Sequence, residues 1–289
     1  MTIAPHSLFK RFSVSLTWFW LALFSLVPSF LLLVTSLLTQ GDAELVRLRL
    51  TFDNYLRLFD GIYLSIFLRS FALALVCTSI CFILAYPFSC ILARADQRAK
   101  GFLLLLVVIP FWTSSLIRSY AIVALLKTHG LFNSLLLALG LIEQPLQLLY
   151  TNTATVIGLV YTLLPLMILP LYSSIEKIDW RLVEAARDLG ARAPQILWHI
   201  LLPLSLPGIL AGCVLVFLPA MTLFYIPDLL GGAKTLLLGN VIQNQFLTAR
   251  DWPMGAAISV ALILLMSLIL YLYMRRYRHQ LGLLDEHYS

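Results

Sequence analysis

Asp228 follows Pro227 at the end of a long apolar run, with Phe224 and Tyr225 on the same turn. A carboxylate beside aromatic faces is what can replace water around an ammonium group, so the chemistry on offer is non-covalent binding of a cation. Trp112 and Tyr161 offer further aromatic faces on neighbouring apolar runs. The plainer alternatives are that Asp228 caps a turn or pairs with Lys234, and that the aromatics anchor span ends at the membrane interface.

Other apparent motifs fail on spacing. Gly231-Gly232-Ala233-Lys234-Thr235 imitates a phosphate-binding loop, but that motif needs Gly directly before Lys in a strand-to-helix setting, and Ala233 intervenes. No nucleotide-binding loop is found elsewhere, so an ATP-driven process would need a separate ATPase and this chain no cofactor of its own. Cys77 and Cys81 have helical i, i+4 spacing, yet no His or carboxylate lies nearby in the sequence to complete a metal site. They read, with Cys90 and Cys213, as small packing residues. The five histidines are scattered. No nucleophile, base and metal converge, so catalysis is not indicated.

A polar island, about residues 176–203, interrupts the apolar runs. Asp179 is placed to cap a helix from about Trp180 to Leu189, and Gly190 to end it. Leu182, Val183, Ala186 and Leu189 form one apolar stripe. Arg181, Glu184, Arg187 and Asp188 supply the polar remainder. Ala185 and Ala186 are small enough to let the helix enter a groove. Pro194 can open a second helix, and Pro203 bends the entry to the next span. A short amphipathic helix between two spans is expected to dock on something soluble; otherwise it is a solvated loop.

The elements that must position these residues are membrane helices. The chain is 61% hydrophobic and 12% charged, against roughly a quarter charged in soluble domains. Its apolar runs fall near 13–38, 66–93, 101–125, 152–175, 204–226 and 255–274, each near the ~20 residues a helix needs to cross a bilayer. An all-α, polytopic membrane protein with six transmembrane helices is expected, as a single domain over 1–289. The first run is too long for a cleavable signal peptide. With both termini inside, twelve basic residues fall on inner segments and eight on outer ones, which favours that orientation. Asp53–Phe59 and Leu131–Ile142 read as short helices outside the spans. Prolines in or beside spans (110, 165, 170, 203, 207, 219 and 227) suggest kinked helices around a path. Gly208 and Gly212 allow close helix approach, within the chain or against a partner.

Glu184-Ala185-Ala186, then Gly190, then Ile200 and Leu202-Pro203, resembles the cytoplasmic signature of ABC-importer permease subunits. The segments Ile109–Arg118, Leu164–Lys177, Phe224–Lys234 and Arg250–Ala257 look like the B-type permeases of bacterial spermidine/putrescine importers. The resemblance implies a type I ABC-importer permease fold whose loop, through Glu184, Ala185, Ala186, Arg187, Asp188 and Gly190, forms coupling helices on an ATPase. It also implies a multi-pass protein of the bacterial inner membrane, paired with a second permease subunit. Two copies of an ABC ATPase, which bind the ATP, and a periplasmic polyamine-binding protein complete the system.

Rivals remain at this point. An ABC permease for an oxyanion, ferric ion or other small cation would carry the same loop. An ion-coupled secondary transporter would be expected to bury carboxylates at mid-span, and the sequence has none there. Arg118, a poor companion for a cation, is expected to pair with Glu143 or Asp228.

Overall fold

The computed structural model describes residues 5–41, 45–232 and 236–285. Helices dominate: α1 (Pro5–Leu21), a π-helical turn (Ala22–Leu26), α2 (Val27–Ser36), α3 (Asp53–Arg57), α4 (Gly61–Arg94), α5 (Gln97–Trp112), α6 (Ser115–Leu126) and α7 (Leu131–Ala138). They are followed by α8 (Asn152–Ile175), α9 (Arg181–Asp188), α10 (Ala193–Ile196), a π-helical turn (Leu197–Leu201), α11 (Leu202–Leu204) and α12 (Leu206–Thr222). A third π-helical turn (Pro227–Gly231), α13 (Leu238–Leu247) and α14 (Trp252–Asp285) complete the order. Two short strands, β1 (Leu38–Thr39) and β2 (Arg47–Leu50), pair antiparallel with Leu38 opposite Leu50, and a bulge separates the next pair.

Among the described residues, five helical stretches are long and apolar enough to span a bilayer, and a sixth forms if Ala193–Leu204 and Leu206–Thr222 count together across their 72° bend. Four of the expected runs, at 13–38, 66–93, 152–175 and 255–274, fall on such stretches. The third differs. Instead of one helix over 101–125, α5 stops at Trp112 and α6 restarts at Ser115. Pro110 cannot donate to the carbonyl a turn earlier, Thr113 is extended, and its Oγ1 donates to the Pro110 carbonyl at 2.9 Å. The spanning stretch here is Ser115–Ala138. The fifth run ends at Thr222 rather than 226, and its entry is bent.

The chain divides into two compact units. The first comprises 1–64 and 241–271. In it the buried Asn54 carboxamide donates to the carbonyls of Ser36 (3.0 Å) and Leu38 (2.8 Å), tying α3 to the end of α2. Buried Asp251 accepts from the Met254 N–H at 3.1 Å, capping α14, and pairs with Arg57 at 3.1 Å.

The second unit comprises 65–240 and 272–289 and holds all the candidate site residues. Its core runs along α8, whose Leu159, Met167, Leu171 and Ile175 are fully enclosed. α12 lies along α8 with almost no space between them. A methyl group on Gly208 would sit 2.5 Å from Ser174 Cβ and 2.6 Å from the Pro170 carbonyl, and one on Gly212 would meet Met167 Sδ at 2.6 Å. The glycine pair therefore packs within this chain. α4 buries Ala74, Cys77, Cys81, Ala85, Ser89 and Leu92, a stripe of mostly small residues at helical spacing. From that face Ser89 Oγ donates to the Ile168 carbonyl (3.3 Å), and Cys81 Sγ lies 3.9 Å from the Val160 carbonyl.

Candidate functional site

The loop after α8 is built by local capping. The Asp179 carboxylate accepts from the Arg181 N–H at 3.0 Å, one residue ahead of the helix boundary at Trp180. At the other end Gly190 takes φ +82°, a left-handed conformation that favours glycine. The Gly190 N–H donates to Arg187 (2.8 Å) and the Ala191 N–H to Ala186 (2.9 Å), closing a Schellman motif. Pro194 sits in the first turn of α10, and the Arg192 N–H donates to Gln195 Oε1 at 2.7 Å.

Within this chain α9 buries Val183 and little else. Leu182 is half exposed and Leu189 is 89% exposed, while Glu184, Ala185, Arg187 and Asp188 also face outward. Trp198, on the π-helical turn, is exposed too. Two of the four residues of the apolar stripe expected from the sequence, Leu182 and Leu189, are therefore left uncovered by their own chain. Beside α9 opens a cavity of about 580 Å³, bordered by Ser173, Ser174, Lys177, Asp179 and Pro207.

Two contacts invisible in the sequence hold this loop against the bundle. The Arg94 guanidinium, at the end of α4, lies 4.2 Å from the centroid of the Trp180 ring. Lys100, at the start of α5, pairs with Glu176 at 2.9 Å, and the Tyr172 hydroxyl donates to the same carboxylate oxygen at 2.6 Å. The Tyr172 and Lys100 hydrogen bonds hold the Glu176 carboxyl below its usual range. The hydrogen bond to Glu176 is the main cause that raises Lys100.

At the other end of the same unit, Phe224, Tyr225 and Asp228 gather on one turn. The Phe224 and Tyr225 rings meet edge to face at 6.1 Å. The organising residue is one that sequence reasoning missed. Asn240 is buried, its Nδ2 donates to both the Asp228 carboxylate and the Phe224 carbonyl (2.9 Å), and its Oδ1 accepts from the Leu237 N–H. A buried amide with its donors and acceptor occupied fixes the turn's geometry. Part of the Asp228 side chain reaches the surface, yet burial raises its carboxyl above the usual range, and the Asn240 hydrogen bond partly opposes that. The turn seats on α8 because Gly158 offers no side chain where Leu230 and Ile226 approach.

Trp112 and Tyr161 are exposed, on α5 and α8, and no hydrogen bond or ring contact joins either to the Asp228 turn among the described residues. Lys234, with Ala233 and Thr235, lies outside the described residues. Arg118 departs from expectation. It pairs with neither Glu143 nor Asp228, and its Nε and Nη1 are buried without a hydrogen-bond partner among the described residues.

A family model described as "Binding-protein-dependent transport system inner membrane component" matches residues 85–280. The chain is 51% identical over 259 residues to the spermidine/putrescine transport system permease protein PotB of Escherichia coli, covering 90% of this chain and 94% of that one. It is 46% identical over 267 residues to the protein of that name from Haemophilus influenzae, covering 92% and 93%. The inner membrane ABC transporter permease protein YdcU of Escherichia coli is 33% identical over 235 residues, with 76% and 74% covered. A crystal structure of a bacterial alginate ABC transporter, complexed with its alginate pentasaccharide-bound periplasmic protein, contains a similar chain. That chain has a TM-score of 0.74 at 15% identity, covering 92% and 93%. A second structure of a bacterial alginate importer gives 0.71 at 17%, covering 95% and 96%. At such identities the structural likeness establishes the fold.

Proposed function

The chain belongs to the family of binding-protein-dependent transport system inner membrane components, and on that footing we propose that it is the permease subunit of an ATP-driven spermidine/putrescine uptake system. The observation that carries this reading is the 46–51% identity, over about nine-tenths of the chain, to relatives bearing that function in their names. The alginate importers share the fold at 15–17% identity, and their solute does not transfer.

In this reading the chain performs no covalent chemistry. It forms half of a translocation path with a second permease subunit, in a bacterial inner membrane, with both termini cytoplasmic. Two copies of an ABC ATPase bind and hydrolyse ATP, and a periplasmic polyamine-binding protein delivers the solute. Glu184, Ala185, Ala186, Arg187, Asp188 and Gly190 form the coupling surface. Support comes from the uncovered Leu182 and Leu189, flanked by charges that can pair across a contact. Asp228, Tyr225, Phe224, Trp112 and Tyr161 contribute to the path. For the first three, support comes from a carboxylate and two aromatic rings held on one turn.

The test is uptake of labelled spermidine by liposomes holding the whole complex. Asp228→Asn should lower uptake while the complex still assembles, and Glu184→Lys should weaken ATPase attachment. A wild-type complex that is inert toward spermidine yet transports another solute would overturn the solute assignment.

A further inference from the structure

Ser205 alone separates the two helical arms that meet at 72°, Ala193–Leu204 and Leu206–Thr222. Pro203 and Pro207 flank it, and neither has an N–H to continue the helical ladder across the bend. What remains at the joint is Ser205 itself. It is fully buried. Its N–H donates to the Leu201 carbonyl at 2.9 Å, and its own carbonyl accepts from the Ile209 N–H at 3.0 Å, so its backbone belongs to both arms.

The Ser205 hydroxyl has one proton, and that proton goes back to the first arm, to the Leu201 carbonyl at 2.6 Å. The Tyr86 hydroxyl lies 3.1 Å from Ser205 Oγ, so the phenol is the donor in that pair. Tyr86 is itself buried, on α4. α4 is in turn held to α8 through Ser89 and the Ile168 carbonyl. Among the described residues this phenol makes the one side-chain hydrogen bond from the joint to another helix.

We propose that Tyr86 is a positioning residue for transport, fixing the pivot at Ser205 so that movement of the coupling loop becomes rotation of α12. The inference rests on the reading of Glu184–Gly190 as the coupling surface. A lever turns its load only about a fulcrum that stays in place. Without the phenol the joint is free to slide along α4, and motion begun at the ATPase is spent in translation of the bend. The seam around Gly208 and Gly212 leaves no slack between α8 and α12, so the two helices turn together about that fulcrum.

The assay measures spermidine uptake and ATP hydrolysis together in liposomes containing both permeases, the ATPase and the loaded binding protein. Tyr86→Phe keeps the ring and its packing on Phe82, so the complex should form in normal amount and hydrolysis should stay within about twofold of wild type. ATP consumed per spermidine should rise about fivefold, the factor one lost hydrogen bond corresponds to. Ser205→Ala should raise the ratio equally, and the double variant should be no worse than either single one. Ser205→Thr, which keeps the hydroxyl, should retain the wild-type ratio. A wild-type ratio in Tyr86→Phe, or additive effects in the double variant, overturns the assignment. Glu184→Lys assayed alongside separates the two readings: undiminished ATPase attachment in that variant removes the lever, whereas a normal ratio in Tyr86→Phe removes only the pivot.

Discussion

The Asn240 carboxamide grips the carboxylate of Asp228 from a position twelve residues further along the chain. Its other bonds reach the Phe224 carbonyl and the Leu237 N–H, so one buried side chain sets where the acid and its aromatic neighbours stand. Asn240→Ala should therefore lower uptake although Asn240 is not itself placed on the path. It should also change the pH profile. Burial already raises the Asp228 carboxyl, and the Asn240 hydrogen bond opposes that rise. Removing the bond lets the carboxyl rise further, so the carboxylate is lost at a higher pH as the medium is acidified. Uptake by the variant should fall away earlier on the descent from neutral pH than uptake by the wild type. Superimposable normalised pH curves would remove Asp228 charge from the transport step.

Gly190→Ala isolates the backbone of the coupling loop. A Cβ at that position meets nothing within 4 Å, so the cost is conformational alone, about 1–2 kcal/mol for a side chain held in the left-handed region. The Schellman closure should loosen and the yield of ATPase co-purified with the permease should fall. Gly190→Asn, which tolerates that conformation better, should recover part of it.

Gly208→Ala tests the seam between α8 and α12. The added methyl group would collide with Ser174 Cβ and with the backbone carbonyl of Pro170. A side chain could swing away, but the carbonyl belongs to a helix. Overpacking of this kind typically costs about 1–3 kcal/mol, visible as a lowered thermal midpoint of the detergent-solubilised protein. Gly61→Ala, where a Cβ meets open space, is the control and should leave the midpoint close to wild type.

Asp251 and Arg57 share an ion pair but should not be equivalent. Asp251 is buried and also accepts from the Met254 N–H at the start of α14, whereas the Arg57 side chain is 46% exposed. Asp251→Ala loses the cap and the pair together, and the cap alone is worth about 1 kcal/mol. Arg57→Ala should cost less, because an exposed partner in water contributes little. Thermal midpoints of the two variants provide the comparison.

The features legible in the sequence are those whose causes are local. Asp179, Gly190 and Pro194 each act within a few residues of themselves, and the loop between α8 and α12 folds accordingly. The apolar runs are likewise long enough to announce helices, and the family signature rests on positions inside the same loop. The interruption of the third run was not legible, because Pro110 alone is compatible with a kink, and the Thr113 side chain decides for a break. Nor could the roles of Tyr86, Arg94 and Asn240 be found. Tyr86 and Ser205 stand 119 positions apart, and no periodicity links a phenol on one helix to a serine between two others. Gly208 and Gly212 announced a close approach but not its partner. Only the position of Pro170 and Ser174 on the facing helix shows that the contact is made at home.

That seam has a mechanical consequence. Helices separated by bulky, mobile side chains have slack between them, and a push on one is partly absorbed before the other responds. Where glycine brings backbone against backbone there is no such cushion, so α8 and α12 behave as one stiff girder. A stroke begun at the loop joining them would then arrive at the far end of the unit almost undiminished.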